Sequence, residues 1–471
     1  MKVADRKIKG ITSNSKEVKK DFVFVAVKGS RRDGNLFIRE AIKRGAGVVV
    51  VEKPPSTITV PDKVTLLEVD DCRKFLGEGA HKFYGRPSEK IKVVGITGTN
   101  GKTTISYLVE AIAKKSGAEC GVIGTINYRF KGKVITATNT TPGSGILQGL
   151  LKKMLAQKVK YCAMEVSSHA LDQERVWGVN FGAGIFTNLT QDHLDYHKSL
   201  ENYFLAKARL FRALPSKSFA IINNDDPYGR RIRKLTAARV LTYGIDRKSD
   251  IMAKDIRFGS RATEFLLCAP GIKTKIRTGL AGRYNIYNIL AAAAWAISQK
   301  ISAAKIKQAV EDFKNVPGRL ERVEGAKGRD IFIDYAHTPD ALFNVINTLR
   351  PVVKGKIVVV FGCGGERDKL KRPLMGKIAT ELAELAVITS DNPRSEEPVR
   401  IIQDIEEGIK KSNYLLIPDR AEAIRKAVAL TRPGDCLLIA GKGHEDYQVL
   451  KNKIFKFSDR KAVEKCLKSM K

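Results

Sequence analysis

The feature that most constrains the fold is a strand, a glycine-rich loop and a helix in immediate succession. An apolar run at residues 91–96 predicts the strand, and the loop follows as GITGTNGKTT at residues 95–104. The helix is predicted from apolar residues at spacing i, i+3, i+4 and i+7, namely Ile105, Leu108, Val109 and Ile112. Backbone N–H groups at the start of such a helix bind anions, so the segment predicts a phosphate-binding loop.

The loop departs from the strict phosphate-loop spacing at one position. Ile96 stands where the pattern GxxxxGK[ST] has its first glycine, and Gly95 and Gly98 flank it. Lys102 is expected to reach the terminal phosphates of a nucleotide, and Thr103 is expected to ligate Mg²⁺. A glycine-rich turn without a ligand is the alternative interpretation.

The 471 residues suggest about three domains. Short apolar runs separated by turns predict a small α/β domain at residues 1–88, which ends at the break GRPS. A central domain at 89–315 contains the phosphate loop and further buried strands at 161–166, 183–186 and 219–222. After the break VPGR, strands at 331–333, 357–361, 385–388 and 436–440 alternate with helical stretches. We therefore predict an α/β chain with a central P-loop domain built on a parallel sheet and a C-terminal Rossmann-like domain at 316–471.

The composition argues against several classes of protein. The sequence contains no run of 18 apolar residues, the length needed to cross a membrane. The N-terminus MKVADRKIKG lacks the apolar segment of a secretory signal. We therefore expect a cytoplasmic protein without membrane insertion. The seven cysteines form no CxxC pair, so free thiols are expected. The net charge of +34 would attract polyanions, but the basic residues are spread along the chain, which favours an anionic substrate or a general basic bias over nucleic-acid binding.

Polar residues follow two predicted strands of the central domain. Glu165 ends one of them. A carboxylate buried at the end of a strand is costly unless it has a partner, and a Mg²⁺ ion would be such a partner. The other strand precedes residues 187–197, which contain His193 and His197. A single histidine is most often structural, but sheets of this type bind ligands at the carboxyl ends of their strands. The two loops therefore predict one site beside the phosphate loop.

Four polar loops follow the strands of the C-terminal domain. They are residues 334–339, 362–368, 390–398 and 441–445. Because the carboxyl ends of parallel strands share one edge, we expect these loops to gather there. Residues 362–365 are not a GxGxxG sequence, so no dinucleotide is inferred. Together the loops predict a site for a small ligand that carries both charges.

These motifs, in this order, resemble the Mur ligase family of peptidoglycan synthesis. Within it, the resemblance is to the members that add the third peptide residue to UDP-N-acetylmuramoyl-L-alanyl-D-glutamate. The resemblance covers nearly the whole chain. Besides the C-terminal loops, it includes residues 13–18, 33–34, 95–104, 139–142, 165–171, 188–197, 203–211, 285–294, 318–319 and 334–339.

The resemblance implies a role for each matching residue. ATP would be bound by Gly98, Thr99, Asn100, Gly101, Lys102, Thr103, Thr104, Asn285, Asn288, Arg319 and Asp334. The UDP-N-acetylmuramoyl dipeptide would be bound by Ser15, Thr140, Thr141, Ser167, Gln173 and Arg175.

The implied catalytic residues are Lys102, Glu165, His193 and Lys207. Two Mg²⁺ ions would be ligated by Thr103, Glu165, His193 and Lys207. Lys207 matches the carbamylated lysine of the family, although the sequence itself shows only a lysine. The modification would turn a cation into an oxygen ligand. His337 or a neighbour is expected near the site, and no general base is assigned.

The sequence DNPR at residues 391–394 matches the motif of members that add meso-2,6-diaminopimelate. The implied contacts of this amino acid are Arg367, Asp391, Asn392, Pro393, Arg394, Gly441 and Glu445. Diaminopimelate has a distal carboxylate that lysine lacks, and an arginine can bind a carboxylate through two parallel hydrogen bonds. The alternative role for Arg394 is to brace its loop against Glu396 or Glu397.

The resemblance implies an ATP-dependent amide ligase that works through an acyl phosphate. Three alternatives stay open: the same ligation with lysine, a folate-adding or cyanophycin-type ligase, and a nucleic-acid-dependent ATPase suggested by charge alone. Gln191 and Lys461 depart from the residues usual in the family, but neither belongs to the proposed chemistry. The chain is expected to be a monomer.

Overall fold

The computed structural model describes residues 2–3, 6–29, 32–54, 60–259, 262–326 and 328–469. It begins with a short antiparallel pair, β1 (Lys2–Val3) and β2 (Arg6–Lys7). A parallel sheet follows, in chain order, formed by β3 (Gly10–Thr12), β4 (Phe22–Val25), β5 (Ala46–Val51) and β6 (Thr65–Glu68). Helices α1 (Ile38–Lys43) and α2 (Cys72–Phe83) cover opposite faces of this sheet. Because β5 is buried on both faces, its sequence AGVVVV is continuously apolar.

The central sheet has eleven strands among the described residues. They are β7 (Lys92–Thr97), β8 (Cys120–Ile123), β9 (Asn127–Phe130), β10 (Lys133–Thr136), β11 (Tyr161–Glu165), β12 (Phe181–Phe186), β13 (Phe219–Asn223), β14 (Arg239–Gly244), β15 (Ile251–Phe258), β16 (Thr263–Ala269) and β17 (Ile272–Thr278). The spatial order is β10-β9-β8-β11-β7-β12-β13-β14-β15-β16-β17. Pairing is parallel from β8 to β15 and antiparallel at both ends. The strand that leads into the phosphate loop therefore lies inside the parallel part of the sheet.

Helices flank both faces of the central sheet. They are α3 (Lys102–Lys115), α4 (Ser144–Ala156), α5 (Ser168–Asp172), α6 (Leu194–His197), α7 (Leu200–Arg212), α8 (Pro227–Ile232), α9 (Arg283–Ser298) and α10 (Ala303–Glu311). The predicted apolar face of α3 is fully buried. Residues 291–294 of α9 are four alanines, which are small enough for close packing against α3 and the sheet.

The C-terminal sheet has six strands among the described residues. They are β18 (Glu321–Arg322), β19 (Asp330–Asp334), β20 (Ile357–Phe361), β21 (Leu385–Ile388), β22 (Tyr414–Leu416) and β23 (Cys436–Ala440). Their order is β18-β19-β23-β20-β21-β22, and all pairs except β18–β19 are parallel. A hairpin of β24 (Tyr447–Leu450) and β25 (Lys453–Lys456) follows. The helices are α11 (Pro339–Leu349), α12 (Lys371–Leu382), α13 (Pro398–Glu406), α14 (Arg420–Leu430) and α15 (Asp459–Ser469).

The predicted three-part α/β architecture is confirmed. The four polar C-terminal loops follow β19, β20, β21 and β23, so they lie at one edge of the sheet as expected. The antiparallel strands β9–β10 and β16–β17 at the ends of the central sheet were not predicted from the sequence. The boundaries at residues 88 and 315 stay predictions. All seven cysteines are free thiols, and no described helix is long and apolar enough to cross a membrane.

Candidate active site

The phosphate loop connects the end of β7 to the start of α3. Gly98 and Gly101 have φ angles of +144° and +91°. A Cβ atom at Gly98 would lie 1.8 Å from Thr187 Oγ1, and one at Gly101 would lie 2.4 Å from Asn288 Oδ1. Both positions therefore require glycine, which accounts for the spacing of glycines in this loop.

Residues that follow β12 give the phosphate loop its shape. Asn188 accepts the N–H of Thr99 with its backbone oxygen (2.8 Å) and the N–H of Asn100 with its Oδ1 (2.9 Å). Thr187 Oγ1 donates to the carbonyl oxygen of Asn100 (2.6 Å). The predicted proximity of these two loops is confirmed.

Lys102 lies over its own loop. Its Nζ donates to the carbonyl oxygens of Gly98 (2.9 Å) and Thr99 (2.7 Å). Burial lowers the pKa of this amine, and the charge of Glu165 opposes the shift. The amine is thus held beside the backbone that would contact the phosphates of a nucleotide.

Thr103 and Glu165 form an oxygen-rich pair beside the loop. Thr103 Oγ1 donates to Glu165 Oε2 at 2.9 Å. Glu165 is 1% exposed at the end of β11, and it also accepts bonds from the N–H and the hydroxyl of Thr125 (3.0 and 2.9 Å). These donors compensate the burial of the carboxylate. A hydroxyl and a carboxylate are also the donor types that Mg²⁺ prefers.

Lys207 projects from the buried face of α7, and the residue is only 1% exposed. Its Nζ donates to the carbonyl oxygen of Gly98 (2.9 Å), which also accepts from Lys102. The same Nζ lies 4.3 Å from the centre of the Tyr203 ring. Burial, and then the charge of Lys102, hold the pKa of Lys207 well below its usual value. A neutral amine has a free electron pair and can act as a nucleophile.

His193 and Asp192 lie in the same neighbourhood. The His193 ring is 4.8 Å from the ring of His169 and 6.2 Å from that of Tyr203. Asp192 Oδ2 lies 3.5 Å from His193 Nε2, and its charge also acts on Lys207. Asp192, His169 and Tyr203 were not among the site residues named from the sequence. Asp192 and His169 lie in the segments after β12 and β11, and Tyr203 lies on α7.

The donor set also limits how a metal could be bound. Among the described residues, no group of three or more His, Cys, Asp or Glu side chains could hold a metal ion. A metal at this position would therefore need other oxygen donors, such as the Thr103 hydroxyl or a modified Lys207.

Five of the six residues predicted for the UDP-linked substrate gather around the end of β11. Thr141 Oγ1 donates to the carbonyl oxygen of Glu165 (2.8 Å) and accepts the N–H of Ser167 (3.1 Å). Arg175 donates to the carbonyl oxygen of Thr141 (3.0 Å) and to Gln173 Oε1 (2.7 Å). Thr140 is the last of the five, and its hydroxyl lies 3.1 Å from the hydroxyl of Thr125.

Ser15, the sixth of these residues, belongs to the N-terminal sheet region. It lies in a turn after β3, and its hydroxyl donates to Glu40 Oε2 at 2.7 Å. The position is consistent with a role at a different part of a long substrate.

Asn285 and Asn288 lie on the first turns of α9 and are 4% and 5% exposed. Asn288 Nδ2 donates to Asn285 Oδ1 (3.0 Å), and Asn285 Nδ2 donates to the carbonyl oxygen of Ala281 (2.7 Å). Asn288 also approaches Gly101, so it lines the side of the phosphate loop, and Asn285 is connected to the loop through Asn288.

Arg319 connects the C-terminal region to the phosphate loop. Its Nη2 lies 3.4 Å from Thr103 Oγ1, and its guanidinium lies 4.6 Å from the centre of the Tyr335 ring. Asp334 accepts the N–H groups of Leu320 (2.6 Å) and Ala336 (2.8 Å), so it fixes the backbone beside Arg319 and Tyr335. Burial raises the pKa of Asp334, and the charge of Arg319 opposes this shift.

Asp340, which was not predicted from the sequence, makes a second connection between the two regions. Its Oδ2 accepts from Asn100 Nδ2 and from Thr190 Oγ1, both at 3.1 Å. Together with Arg319, this residue holds the start of α11 against the phosphate loop. The predicted neighbour His337 lies on the same segment, where its Nδ1 is 2.8 Å from the carbonyl oxygen of Tyr335.

The loops after β21 and β23 form a buried polar cluster. Asn392 Nδ2 donates to Glu445 Oε2 (2.8 Å). Lys442, which is 0% exposed, donates to Asn392 Oδ1 and Glu445 Oε2 (both 3.2 Å) and lies 3.8 Å from Asp391 Oδ1. Burial raises the pKa of Glu445, and Lys442 lowers it. Gly441 (φ +111°) closes the cluster, because a Cβ there would lie 2.7 Å from Asp391 Oδ2.

Arg394 lies at the edge of this cluster. Its Nη1 donates to the carbonyl oxygens of Gly365 (2.6 Å) and Asn392 (3.3 Å). Glu396 is bound by another arginine, Arg372 (2.9 Å), and the hydrogen bond from Arg372 is the main cause that lowers the pKa of Glu396 to about 2. Arg394 thus connects its own loop to the loop at residues 362–368, whereas Glu396 is bound by Arg372. These contacts favour this connecting position over the bracing role with Glu396.

Arg367 and Arg394 both approach Gly364. A Cβ atom at Gly364 would be 3.0 Å from Arg394 Nη1 and 3.7 Å from Arg367 Cγ. Pro393 approaches the neighbouring glycine in the same way, since its carbonyl oxygen is 1.9 Å from a Cβ built at Gly365. All seven residues predicted for the added amino acid therefore lie in three loops at one edge of the sheet.

Comparison with known proteins agrees with this arrangement. Three family models match successive parts of the chain: the Mur ligase family, catalytic domain, at residues 7–84, the Mur ligase middle domain at 96–296, and the Mur ligase, glutamate ligase domain, at 318–443. A UDP-N-acetylmuramoyl-L-alanyl-D-glutamate–2,6-diaminopimelate ligase of Aquifex aeolicus is 47% identical over 98% of this chain and 94% of its own length. The enzyme of the same name from Clostridium botulinum is 43% identical over 99% and 96%.

The chain belongs to the Mur ligase family. A solved structure of another UDP-N-acetylmuramoyl-L-alanyl-D-glutamate–2,6-diaminopimelate ligase is 30% identical, covers 100% of this chain and 97% of its own, and superposes with a TM-score of 0.72. The Mur ligase fold thus extends over all three sheets. The phosphate loop belongs to a nucleotide-using ligase, and the interpretation as a simple glycine-rich turn is discarded.

Proposed function

We propose that this Mur ligase joins meso-2,6-diaminopimelate to the D-glutamate carboxylate of UDP-N-acetylmuramoyl-L-alanyl-D-glutamate, with ATP as the energy source. The observation that carries the proposal is the position of Asn392. Its carbonyl oxygen accepts from Arg394, and its side chain donates to Glu445, so a cationic and an anionic group flank one residue. Such a pair suits an amino-acid head that carries both charges. The names of the relatives at 43% and 47% identity support the same substrates.

The proposed reaction has two steps. The γ-phosphoryl group passes from ATP to the D-glutamate carboxylate, which gives an acyl phosphate and ADP. The amine of diaminopimelate then attacks the acyl carbon, phosphate leaves, and the amine proton is released to solvent or a nearby base. Lys102 and Arg319 stabilise the negative charge of the transferring group, because phosphoryl transfer depends mainly on positioning and electrostatics.

Mg²⁺ fits the oxygen donors beside the phosphate loop. Thr103 and Glu165 would hold one ion, and His193 with carbamylated Lys207 would hold a second. When bound, the ions supply charge neutralisation at the phosphates. The carbamate is supported by the depressed pKa and burial of Lys207, since only a neutral amine can add to CO₂.

The remaining nucleotide contacts are assigned by position. Backbone and side chains of residues 98–104 surround the phosphates, Asn285 and Asn288 contact the adenine, and Asp334 contacts the ribose. The support is that Asn288, which bonds to Asn285, borders Gly101 and that Asp334 fixes the segment of Arg319.

The UDP-linked substrate is assigned to two regions. Thr140, Thr141, Ser167, Gln173 and Arg175 bind the muramoyl dipeptide beside Glu165. Ser15 binds near the uridine end. This order brings the D-glutamate carboxylate toward the phosphate loop, where the γ-phosphoryl group would be.

Diaminopimelate is assigned to the three loops of the C-terminal sheet. Arg394 and Arg367 bind carboxylates, and Asp391 with Glu445 binds an ammonium group. Asn392, Pro393 and Gly441 shape the pocket between them. An arginine that binds a distal carboxylate distinguishes diaminopimelate from lysine, because lysine has no distal carboxylate to accept its hydrogen bonds.

The contact between Arg319 and Thr103 brings the C-terminal region against the phosphate loop, and this arrangement would exclude water from the acyl phosphate. We further propose three domains at residues 1–88, 89–315 and 316–471, and a monomer that works in the cytoplasm, where ATP and UDP-linked sugars occur.

An isotope experiment tests the proposed chemistry. UDP-N-acetylmuramoyl-L-alanyl-D-glutamate labelled with ¹⁸O in the terminal carboxylate is incubated with ATP and diaminopimelate. Transfer of one ¹⁸O atom to the released phosphate is expected, because the acyl phosphate retains a carboxylate oxygen. Phosphate release without label would contradict the mechanism, and release that needs DNA or RNA instead of the muropeptide would favour a nucleic-acid-dependent ATPase.

A further inference from the structure

A buried ion pair lies beneath the amino-acid loops of the C-terminal sheet. Arg420, the first residue of α14, donates from Nε to Asp459 Oδ1 (2.7 Å) and from Nη2 to Asp459 Oδ2 (2.8 Å). Both side chains are 0% exposed. Asp459 is also the first residue of α15, where a carboxylate is stabilised by the helix dipole.

The guanidinium of Arg420 makes two further bonds. Its Nη1 donates to the carbonyl oxygen of Ser390 (3.3 Å), and its Nη2 donates to that of Ala440 (3.0 Å). Ser390 directly precedes Asp391, and Ala440 directly precedes Gly441. One side chain therefore binds the backbone at the base of both loops that contain the proposed ammonium-binding carboxylates.

Sheet pairing alone does not connect these two loops. In the strand order, β20 lies between β21 and β23, so the loops after β21 and β23 do not follow neighbouring strands. Arg420 spans this gap, and Asp459 fixes the orientation of its planar guanidinium through two parallel hydrogen bonds.

We propose that Arg420 and Asp459 are positioning residues that set the distance between the Asp391 loop and the Gly441–Glu445 loop, and thereby the affinity for the added amino acid. The proposal deepens the proposed function and rests on the assignment of these loops to the amino-acid substrate. Neither residue touches the substrate; they act through the backbone of residues 390 and 440.

The test must separate positioning from simple stabilisation. Replacement of a buried ion pair by apolar residues of similar volume often leaves a protein folded and stable. The double variant Arg420→Met/Asp459→Leu removes the two backbone bonds while it avoids an unpaired buried charge. The single variant Arg420→Lys keeps the charge beside Asp459 but cannot reach both carbonyl oxygens in one plane.

The control is the ion pair Arg350–Glu384, which lies at the amino ends of β20 and β21, opposite the loops. In the control variant Arg350→Met/Glu384→Leu, an arginine and an acidic residue are likewise replaced by methionine and leucine. Folding of each variant is checked by circular dichroism and thermal unfolding.

Steady-state kinetics then give KM separately for ATP, for the UDP-linked dipeptide and for the amino acid that the wild type accepts. For the Arg420/Asp459 double variant we expect KM for the amino acid to rise by about 10- to 100-fold, because small misplacements of substrate contacts have effects of this size. KM for the other two substrates should stay within about twofold, as should all three values in the control. Arg420→Lys should show the same selective rise to a smaller extent.

A folded double variant with unchanged KM for the amino acid would overturn the proposal, as would an equal rise for all three substrates. If the double variant does not fold, the same two outcomes in Arg420→Lys decide. A wild type that uses an amino acid other than diaminopimelate would refute the proposed substrate but leave this test intact, because the selective change in KM concerns the loops rather than the identity of the amino acid.

Discussion

Arg319 Nη2 lies 3.4 Å from Thr103 Oγ1, although the two residues are 216 positions apart in the chain. The contact joins the C-terminal region to the first turn of the helix after the phosphate loop. It brings a guanidinium to the hydroxyl that is proposed to ligate a metal. In the proposed mechanism, Arg319 would therefore link domain closure to charge stabilisation at the phosphates.

Replacement of Arg319 by alanine should reduce kcat by about 10²–10³-fold, the usual effect of removing one donor that stabilises transition-state charge. Rapid-quench measurement of ADP formation in the first turnover tests this. The control is Arg322→Ala, because Arg322 is 41% exposed and pairs with Asp330 at the surface. Equal rates in wild type and Arg319→Ala would show that Arg319 does not act at the phosphates.

Gly101→Ala should abolish nucleotide binding and destabilise the protein more than Gly117→Ala. Both glycines have positive φ (+91° and +82°), so both substitutions carry the conformational cost of about 1–2 kcal/mol. Only at Gly101 would the new Cβ meet another group, Asn288 Oδ1 at 2.4 Å. Urea unfolding and ATP titration calorimetry measure the two effects. Equal losses of stability and normal ATP affinity in both variants would contradict the close packing of Gly101 against α9.

Lys207→Ala should lose about 100-fold or more in activity, by analogy with the loss of groups that orient metal ligands. Addition of a short carboxylic acid should restore part of the activity, since it can occupy the place of the carbamate. Arg209→Ala is the control, because Arg209 lies on the exposed side of the same helix and is 45% exposed. Full activity of Lys207→Ala without added acid would count against the carbamate.

His444 should make the protein less stable in acid. Burial lowers its pKa from 6.5 to about 4 in the folded protein, and its Nδ1 is buried without a hydrogen-bond partner. Between about pH 6.5 and 4 the unfolded chain binds more protons than the folded one, so the free energy of unfolding decreases as the pH falls.

His444→Gln should therefore show a shallower decrease of the unfolding free energy over this pH range, measured by urea unfolding at a series of pH values. The slopes should differ by up to about one proton, because only one imidazole is removed. Parallel curves for wild type and variant would mean that His444 does not bind this proton. The other histidines contribute equally to both proteins and cancel in the comparison.

Local patterns in the sequence predicted the parts of the site that depend on neighbours in the chain. The phosphate loop was identified because the loop lies between a strand and a helix that each have their own periodicity. Glu165 was identified because it ends an apolar run. The phosphate loop and Glu165 lie where the sequence predicted them, at the carboxyl ends of the adjacent parallel strands β7 and β11.

Residues whose role depends on distant partners could not be found in this way. Lys442 is 0% exposed, although a lysine between two glycines in a polar loop would ordinarily be at the surface. It is buried because Asp391, Asn392 and Glu445 surround its amine, and two of these partners are about 50 positions away. Asp340 and the pair Arg420–Asp459 were missed for the same reason. Their partners lie between 20 and 240 positions away, so no local period reveals them.

The most direct test of the proposed function is a panel of amino acids offered with ATP and UDP-N-acetylmuramoyl-L-alanyl-D-glutamate. Phosphate release and formation of the tripeptide product are measured with meso-diaminopimelate, L-lysine and L-glutamate. The assignment of Arg394 to a distal carboxylate predicts turnover with meso-diaminopimelate, at least about 10³-fold more efficient than with lysine, because lysine has no distal carboxylate to accept from that guanidinium. Turnover with lysine and none with diaminopimelate would contradict it.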